Sequence, residues 1–275
     1  MDVGVVVALA QKEFRDALRN RWFLLFSIAF ALLALSLSYL AMSGVGMGGF
    51  AGFGRTAAAL VNLVLLIVPL MGLTAGAMGL VAERERGTLA ALLAQPVSRG
   101  EVFWGKGLGL AVALLASLCL GFGAAGAALS IGGGGDIGAY VRLVAMAVLL
   151  AFATLALGLF VSAVARRSAA AMGVALLLWL GLVFIGDLGL MGTAVAMRLS
   201  AGQLLALALL NPLQVFKMGA ILSLNATPEV LGPAGLYAAD TMGLWLLPAL
   251  LGILALWVIL PLSAAYLAFA RSEEA

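Results

Sequence analysis

Apolar residues run through this chain in long blocks, separated by short polar or charged clusters. A helix needs about 20 apolar residues to cross the roughly 30 Å hydrocarbon core of a bilayer. Six blocks meet that length, at about 22–42, 58–82, 107–130, 139–164, 169–190 and 245–270. The stretch LSAGQLLALALL (199–210) has only about a dozen apolar residues and reads as a re-entrant or interfacial piece. The pattern predicts an all-α integral membrane protein, a single domain over residues 1–275 with six transmembrane helices.

Charge gives the orientation. With six spans and the N-terminus inside, Lys12, Arg15, Arg19, Arg21, Arg84, Arg86, Arg99, Lys106, Arg166, Arg167 and Arg271 fall on the cytoplasmic side. Arg55, Arg142, Arg198 and Lys217 fall outside. That bias obeys the positive-inside rule and puts both termini in the cytoplasm. The first apolar run gives way to charged residues rather than a small-residue cleavage site, so it is expected to stay in the mature protein.

With 65% hydrophobic and 10% charged residues and a mean hydropathy of +1.20, the chain is far from a soluble globular composition. The net charge of +3 sits at span ends rather than on one soluble face, so nucleic acid is not an expected partner. Histidine is absent, which removes the commonest general base and metal ligand. Cys119, the single cysteine, lies inside an apolar block and leaves no disulfide framework.

Three outer segments differ in character. SGVGMGGFAGFGRT (43–56) and SIGGGGDIG (130–138) are glycine-rich. The third, 191–244, is long and apolar with helix signals of its own. Asn211 is a good N-cap, Pro212 fits the first helical position, and Leu213, Phe216, Ala220 and Leu224 line one face. Such a helical outer loop lies on the membrane surface, packs on the bundle or receives a partner.

Between the second and third spans the chain reads ERERGTLAALLAQPVSRGE, residues 83–101. Each charge would cost about 2.5–3.5 kcal/mol at the centre of a spanning helix, so Glu83, Arg84, Glu85 and Arg86 end the span. From Thr88 onward, Leu89, Leu92 and Leu93 share one helical face. Pro96 stops that helix, and Ser98 with Glu101 forms the S-x-x-E capping box that starts the next. Two readings fit: an interfacial helix that only anchors the loop, or a ball for a cytoplasmic partner, with leucines buried and Glu and Arg on the rim. Gly87 would permit the tight turn.

This segment strongly resembles the E-x-E-x-G-T-L…L-L-x-x-P-x-S-R loop of ABC-2 type permeases. The resemblance implies that Glu83, Arg84, Glu85, Arg86, Gly87, Thr88, Leu89, Leu92 and Leu93 form the coupling helix, within a loop over 83–106, that docks into an ABC ATPase subunit. The upstream QKEFRDALRNRWFLL is similar to that family's N-terminal amphipathic segment (1–21). A second ATPase contact through Lys12, Glu13, Arg15, Asp16 and Arg19 is thereby implied. KEFRDALRNRWFL, NPLQVFKMGAILSL and GPAGL look like the permease subunit of the nitrous oxide reductase maturation transporter, the NosY family. That likeness implies a homodimer in the bacterial or archaeal inner membrane, in contact with lipids, working with two ATPases and a periplasmic β-helical accessory protein. Asn211, Pro212, Phe216 and Lys217 would face that partner. ATP and Mg would be used by the partner ATPase. No cofactor is assigned to this chain, and copper or sulfur species would be cargo of the pathway.

Other motifs carry less. GFGAAG (121–126) lies within a span and fits close helix approach better than dinucleotide binding. GFAGFGRT (49–56) resembles a P-loop only loosely, with arginine for lysine and no preceding strand, so nucleotide hydrolysis is expected in another chain. GLTAG (72–76) suits internal packing or a dimer seam equally. Asp187 either pairs at the interface or lines a pathway. Met42, Met47, Met191, Met197 and Met218 lie toward the outer side, where thioethers could meet Cu(I); methionine is also ordinary packing, and no metal ligand is named. A secondary transporter or channel would need intramembrane charge or broken helices in matched halves. An ABC-2 exporter of a drug, lipid or peptide shares the coupling motif and stays open. With no histidine and no nucleophile–base pair, a non-catalytic membrane subunit is expected.

Overall fold

Several helices start where the sequence offers a cap. A computed structural model describes residues 2–43, 50–131, 136–189, 199–224 and 232–271, with backbone alone at 40–43, 50–57, 131, 187–189 and 232. Asp2 opens α1 (Val3–Arg19) by accepting the Gly4 N–H at 2.8 Å. Asn20 then separates α1 from α2 (Arg21–Ser43), accepting the Trp22 N–H at 3.0 Å. Helix α3 (Phe50–Gly79) breaks for one residue before the short α4 (Val81–Glu85). Gly87, at φ 72°, turns the chain into α5 (Thr88–Leu93). This is the left-handed region that glycine enters without a Cβ penalty.

The expected capping box forms. Ser98 Oγ accepts the Glu101 N–H at 3.3 Å, and Glu101 Oε2 accepts the Ser98 N–H at 2.8 Å. It starts α6 (Arg99–Ile131), so the third helix begins eight residues before the expected 107. Its 33 residues extend about 50 Å at 1.5 Å per residue, so more than one turn projects beyond the hydrocarbon. Asp136 caps α7 (Ile137–Val164) through the Ala139 N–H at 3.0 Å. Helix α8 (Ser168–Leu180) runs on as a π-helix over Gly181–Gly189.

Helices α9 (Ala201–Leu209) and α10 (Pro212–Ser223) bend by 111° at Leu210–Asn211. Then come α11 (Gly232–Met242), a 3-10 turn (Gly243–Trp245) and α12 (Leu246–Arg271). Among the described residues there is no strand, and six helices are long and apolar enough to cross a membrane. The bent pair raises that to seven if counted as one span.

Helix α7 is the hub, packed against α3, α12 and α10. GLTAG resolves as internal packing: a Cβ on Gly76 would stand 2.5 Å from Leu155 O, and one on Gly158 2.5 Å from Leu73 O. In GFGAAG, Gly121 seats Phe30 and Gly126 faces Tyr140. GFAGFGRT is helical from Phe50 onward, unlike a phosphate loop. Met47, Met191, Met197 and Arg198 lie outside the described residues, as do the side chains of Met42, Arg55 and Asp187. Met218 is buried.

Candidate functional site

The charged clusters come together at one end of the bundle. Helix α1 lies along the start of α6 because Gly105 and Gly109 clear a track for it. A Cβ on Gly105 would stand 2.6 Å from Leu9 Cβ, and one on Gly109 2.6 Å from both Ala10 O and Glu13 Cβ. Between these glycines Lys106, 2% exposed, is held by Glu13 Oε2 at 2.8 Å and Glu83 Oε1 at 3.1 Å. Lys12 reaches the same Glu83 oxygen at 3.0 Å. Partial burial opposes the charge on Lys12, but the hydrogen bond and charge of Glu83, with Glu13 and Asp16, outweigh it and raise its pKa. Four ionic side chains thus join α1, α4 and α6.

Helix α4 also grips the turn between α7 and α8. Arg84 Nη1 donates to the carbonyls of Ser162, Ala163 and Ala165 at 3.3, 3.4 and 2.7 Å. A helix end leaves those carbonyls unpaired and favours a cation. Glu85 Oε2 accepts the Ser168 N–H at 2.9 Å, an anion at the opposite, positive pole of α8. Ser162 Oγ returns the contact, accepting the N–H groups of Leu80 and Val81 at 2.9 Å where α3 breaks into α4. On the far side, Arg99 donates to Phe269 O and Ala270 O at the end of α12. Phe103, Trp104, Tyr266 and Phe269 form an aromatic cluster between α6 and α12.

Burial is uneven along the expected docking segment. Glu83 and Arg84 are half-buried and bonded within the chain. Of the quartet, Glu85 and Arg86 are exposed. The leucine face is not wholly outward. Leu89 is 1% exposed within this chain's own core, while Leu92 and Leu93 are half-buried.

The outward surface of α5 is Thr88, Ala90, Ala91 and Ala94. Beside it lies a cleft of about 450 Å³ lined by Ala90, Leu93, Ala94, Val97 and Arg99. Arg15, Asp16 and Arg19 of α1 are exposed at the same end, whereas Lys12 and Glu13 serve the ionic network.

At the opposite end Asn211 accepts the Leu213 N–H at 2.9 Å and donates to Leu182 O at 2.7 Å, and Pro212 follows as the first helical residue. Pro212 and Phe216 are buried against the chain's own helices. The bend at 210–211 aims the amphipathic face of α10 inward at α7 and α12 rather than outward. Lys217 is half-buried. An apolar groove of about 650 Å³ opens between α8 and the α9–α10 pair, with Asn211 and Gln214 its only polar side chains.

Lys106, Gly105, Gly109, Ser162 and Ser168 were not singled out by sequence as a set. The glycine pair four residues apart at the head of an apolar helix, facing an amphipathic segment, was the available signal. Ser162 carried none.

These features define a class: a polytopic helical membrane protein with an amphipathic first helix and a short helix exposed between its second and third spans. Residues 7–273 match the family model described as ABC-2 family transporter protein, and the chain belongs to that family. It is 33% identical over 276 positions to a probable ABC transporter permease protein NosY of Pseudomonas aeruginosa, covering 97% of this chain and 98% of that protein. With the protein of the same name from Stutzerimonas stutzeri it shares 32% over 96% of this chain and 97% of the other. The chain is a multi-pass inner-membrane ABC-2 permease, of a kind that is typically non-catalytic and implies an ABC ATPase as partner.

Proposed function

We propose that the charged end is cytoplasmic and that α5, its adjoining cleft and the outer face of α1 seat the partner ABC ATPase. Closure of the ATPase on ATP pushes this surface, and the bundle carries the motion outward. The chain works as a homodimer. Its two NosY relatives support a role in maturation of the copper-sulfur site of nitrous oxide reductase, alongside a periplasmic β-helical protein. Copper or sulfur species are then cargo of the pathway, and ATP and Mg belong to the ATPase.

One observation carries the reading. Among the helices at the charged end, α5 has an outward surface of small residues beside a cleft, while Glu83, Arg84, Glu85 and Arg99 nearby are engaged within the chain. Leu92→Asp tests it. Leu92 is half-buried at the edge of that surface, so the variant should insert normally yet lose co-purification with its ATPase by about tenfold or more. Normal binding and normal ATP-driven function in this variant would remove the docking role.

The apolar groove between α8 and α9–α10 favours a second reading, export of a lipid-like molecule. Vesicles holding only the permease and ATPase separate the two. ATP-dependent movement of labelled lipid supports export; its absence, with copper-deficient reductase in a deletion strain, supports maturation.

A further inference from the structure

We infer that the E-R-E run of α4 is an internal joint, through which displacement of α5 is delivered to α7 and α8, rather than a contact with the ATPase. This rests on the docking role proposed above. Two successive residues hold two consecutive helix ends of opposite polarity. Arg84 holds three carbonyls at the negative end of α7, and Glu85 holds the first N–H of α8. Ser162 closes the joint from the other side by accepting two N–H groups at the α3–α4 break. The alternation of charge in the sequence therefore mirrors the alternation of helix poles in space.

The arginine fork binds several oxygens in fixed geometry, which makes this link stiff. Glu83, one residue earlier, ties the same turn to α1 and α6 through Lys106. Beyond the joint lies α7, 28 residues of continuous helix locked to α3 at Gly76 and Gly158. At its far end Arg142 donates to Ser223 O, the last residue of α10, at 3.2 Å. A push on α5 thus has a contiguous route to the opposite end of the bundle, and energetic coupling of this kind travels through such packed elements.

The test uses the permease with the ABC ATPase that co-purifies with it, in nanodiscs. In a Cys119→Ser background, spin labels replace Ile137 and Leu210, both exposed near the opposite end. The distance between them is read with and without ATP and vanadate. Arg84→Gln and Glu85→Ala should hold the ATPase within about twofold of the parent. Their nucleotide-driven distance shift should fall at least about fivefold. Glu85 is exposed, so its variant guards against simple misfolding of the arginine variant. Gly123→Ala, whose added Cβ meets nothing within 4 Å and which lies outside the joint and the docking surface, should keep both the ATPase and the shift.

If both joint variants lose the ATPase about tenfold or more, these charges are partner contacts; the inference falls and the docking proposal stands. Retained binding with an undiminished shift overturns the inference as well. A parent chain that holds no ATPase sinks both.

Discussion

The two ends of this bundle are closed by different chemistry. At the charged end, side chains clasp the ends of helices: Arg84 on α7, Glu85 on α8, Arg99 on α12, and Glu101 on the start of α6. Glu101 also accepts the Asp2 N–H, which ties down the beginning of α1. At the opposite end, among the described residues, the closure is mainly apolar. Helix α10 is inserted between α7 and α12, and the polar links among the described residues include Asn211 to Leu182, Arg142 to Ser223, Tyr140 to Phe122 and Trp257 to Leu209, each a single bond to a backbone oxygen. Directional bonds resist shear, whereas apolar packing lets helices slide while contact area is kept. On the docking role proposed above, the first end suits receiving a push as one body, and the second suits changing shape in response.

The common spine of both ends is the α3–α7 contact, so the largest effect is expected there. Gly158→Val puts a branched side chain where even a Cβ meets Leu73 O at 2.5 Å and Ala77 N at 2.9 Å. Backbone on both sides cannot yield, so a destabilisation at or above the upper end of the usual 1–3 kcal/mol is expected. Thermal unfolding in detergent checks it, and near-normal melting would mean that the spine is looser than this contact indicates. Gly123→Ala meets nothing within 4 Å and is the matched neutral control.

Lys106→Met sharpens the comparison at the charged end. The substitution keeps bulk but leaves Glu13 and Glu83 facing each other, their side chains only 14% and 18% exposed. Breaking a fully buried pair costs about 3–5 kcal/mol; with this residual solvent, about 2 kcal/mol is expected. Its signature is local: protease should cut α1 faster in the variant while α9 and α10 keep their protection. Equal loosening at both ends would contradict separate closures.

Much of this was legible in the residues because spans, caps and turns are local. Apolar length gave the six helices, Asn211–Pro212 gave the start of α10, and the S-x-x-E box gave the start of α6. What escaped was non-local. Nothing in ERER says whether a charge points at water, a partner or another helix end, since that depends on where the 165–168 turn arrives in space. The leucine stripe marked a buried face without saying which protein buries it, and Leu89 proved to be covered by its own chain. Phe216 followed the same logic. An amphipathic helix outside the six spans could lie on the surface, pack on the bundle or meet a partner, and it is the bend at 210–211 that turns it inward.

The smallest expected effect concerns that bend. Asn211 does two jobs with one amide: its oxygen caps α10 at Leu213 and its nitrogen bonds Leu182 O where α8 has become π-helical. A π-helix widens the turn and leaves carbonyls poorly paired inside the helix, so an outside donor at this point stabilises it. Asn211→Asp keeps the cap but replaces the donor with an oxygen that repels the Leu182 carbonyl; Asn211→Ala loses both functions. Loss of the cap alone costs about 1 kcal/mol. If both contacts matter, the alanine variant should fall by about 1–2 kcal/mol, and the aspartate variant should show faster amide exchange within 181–189 despite an intact α10 start. Should Asp behave like Asn in that segment, the bond to α8 is incidental, and apolar packing suffices to hold α10 against α8 at this point.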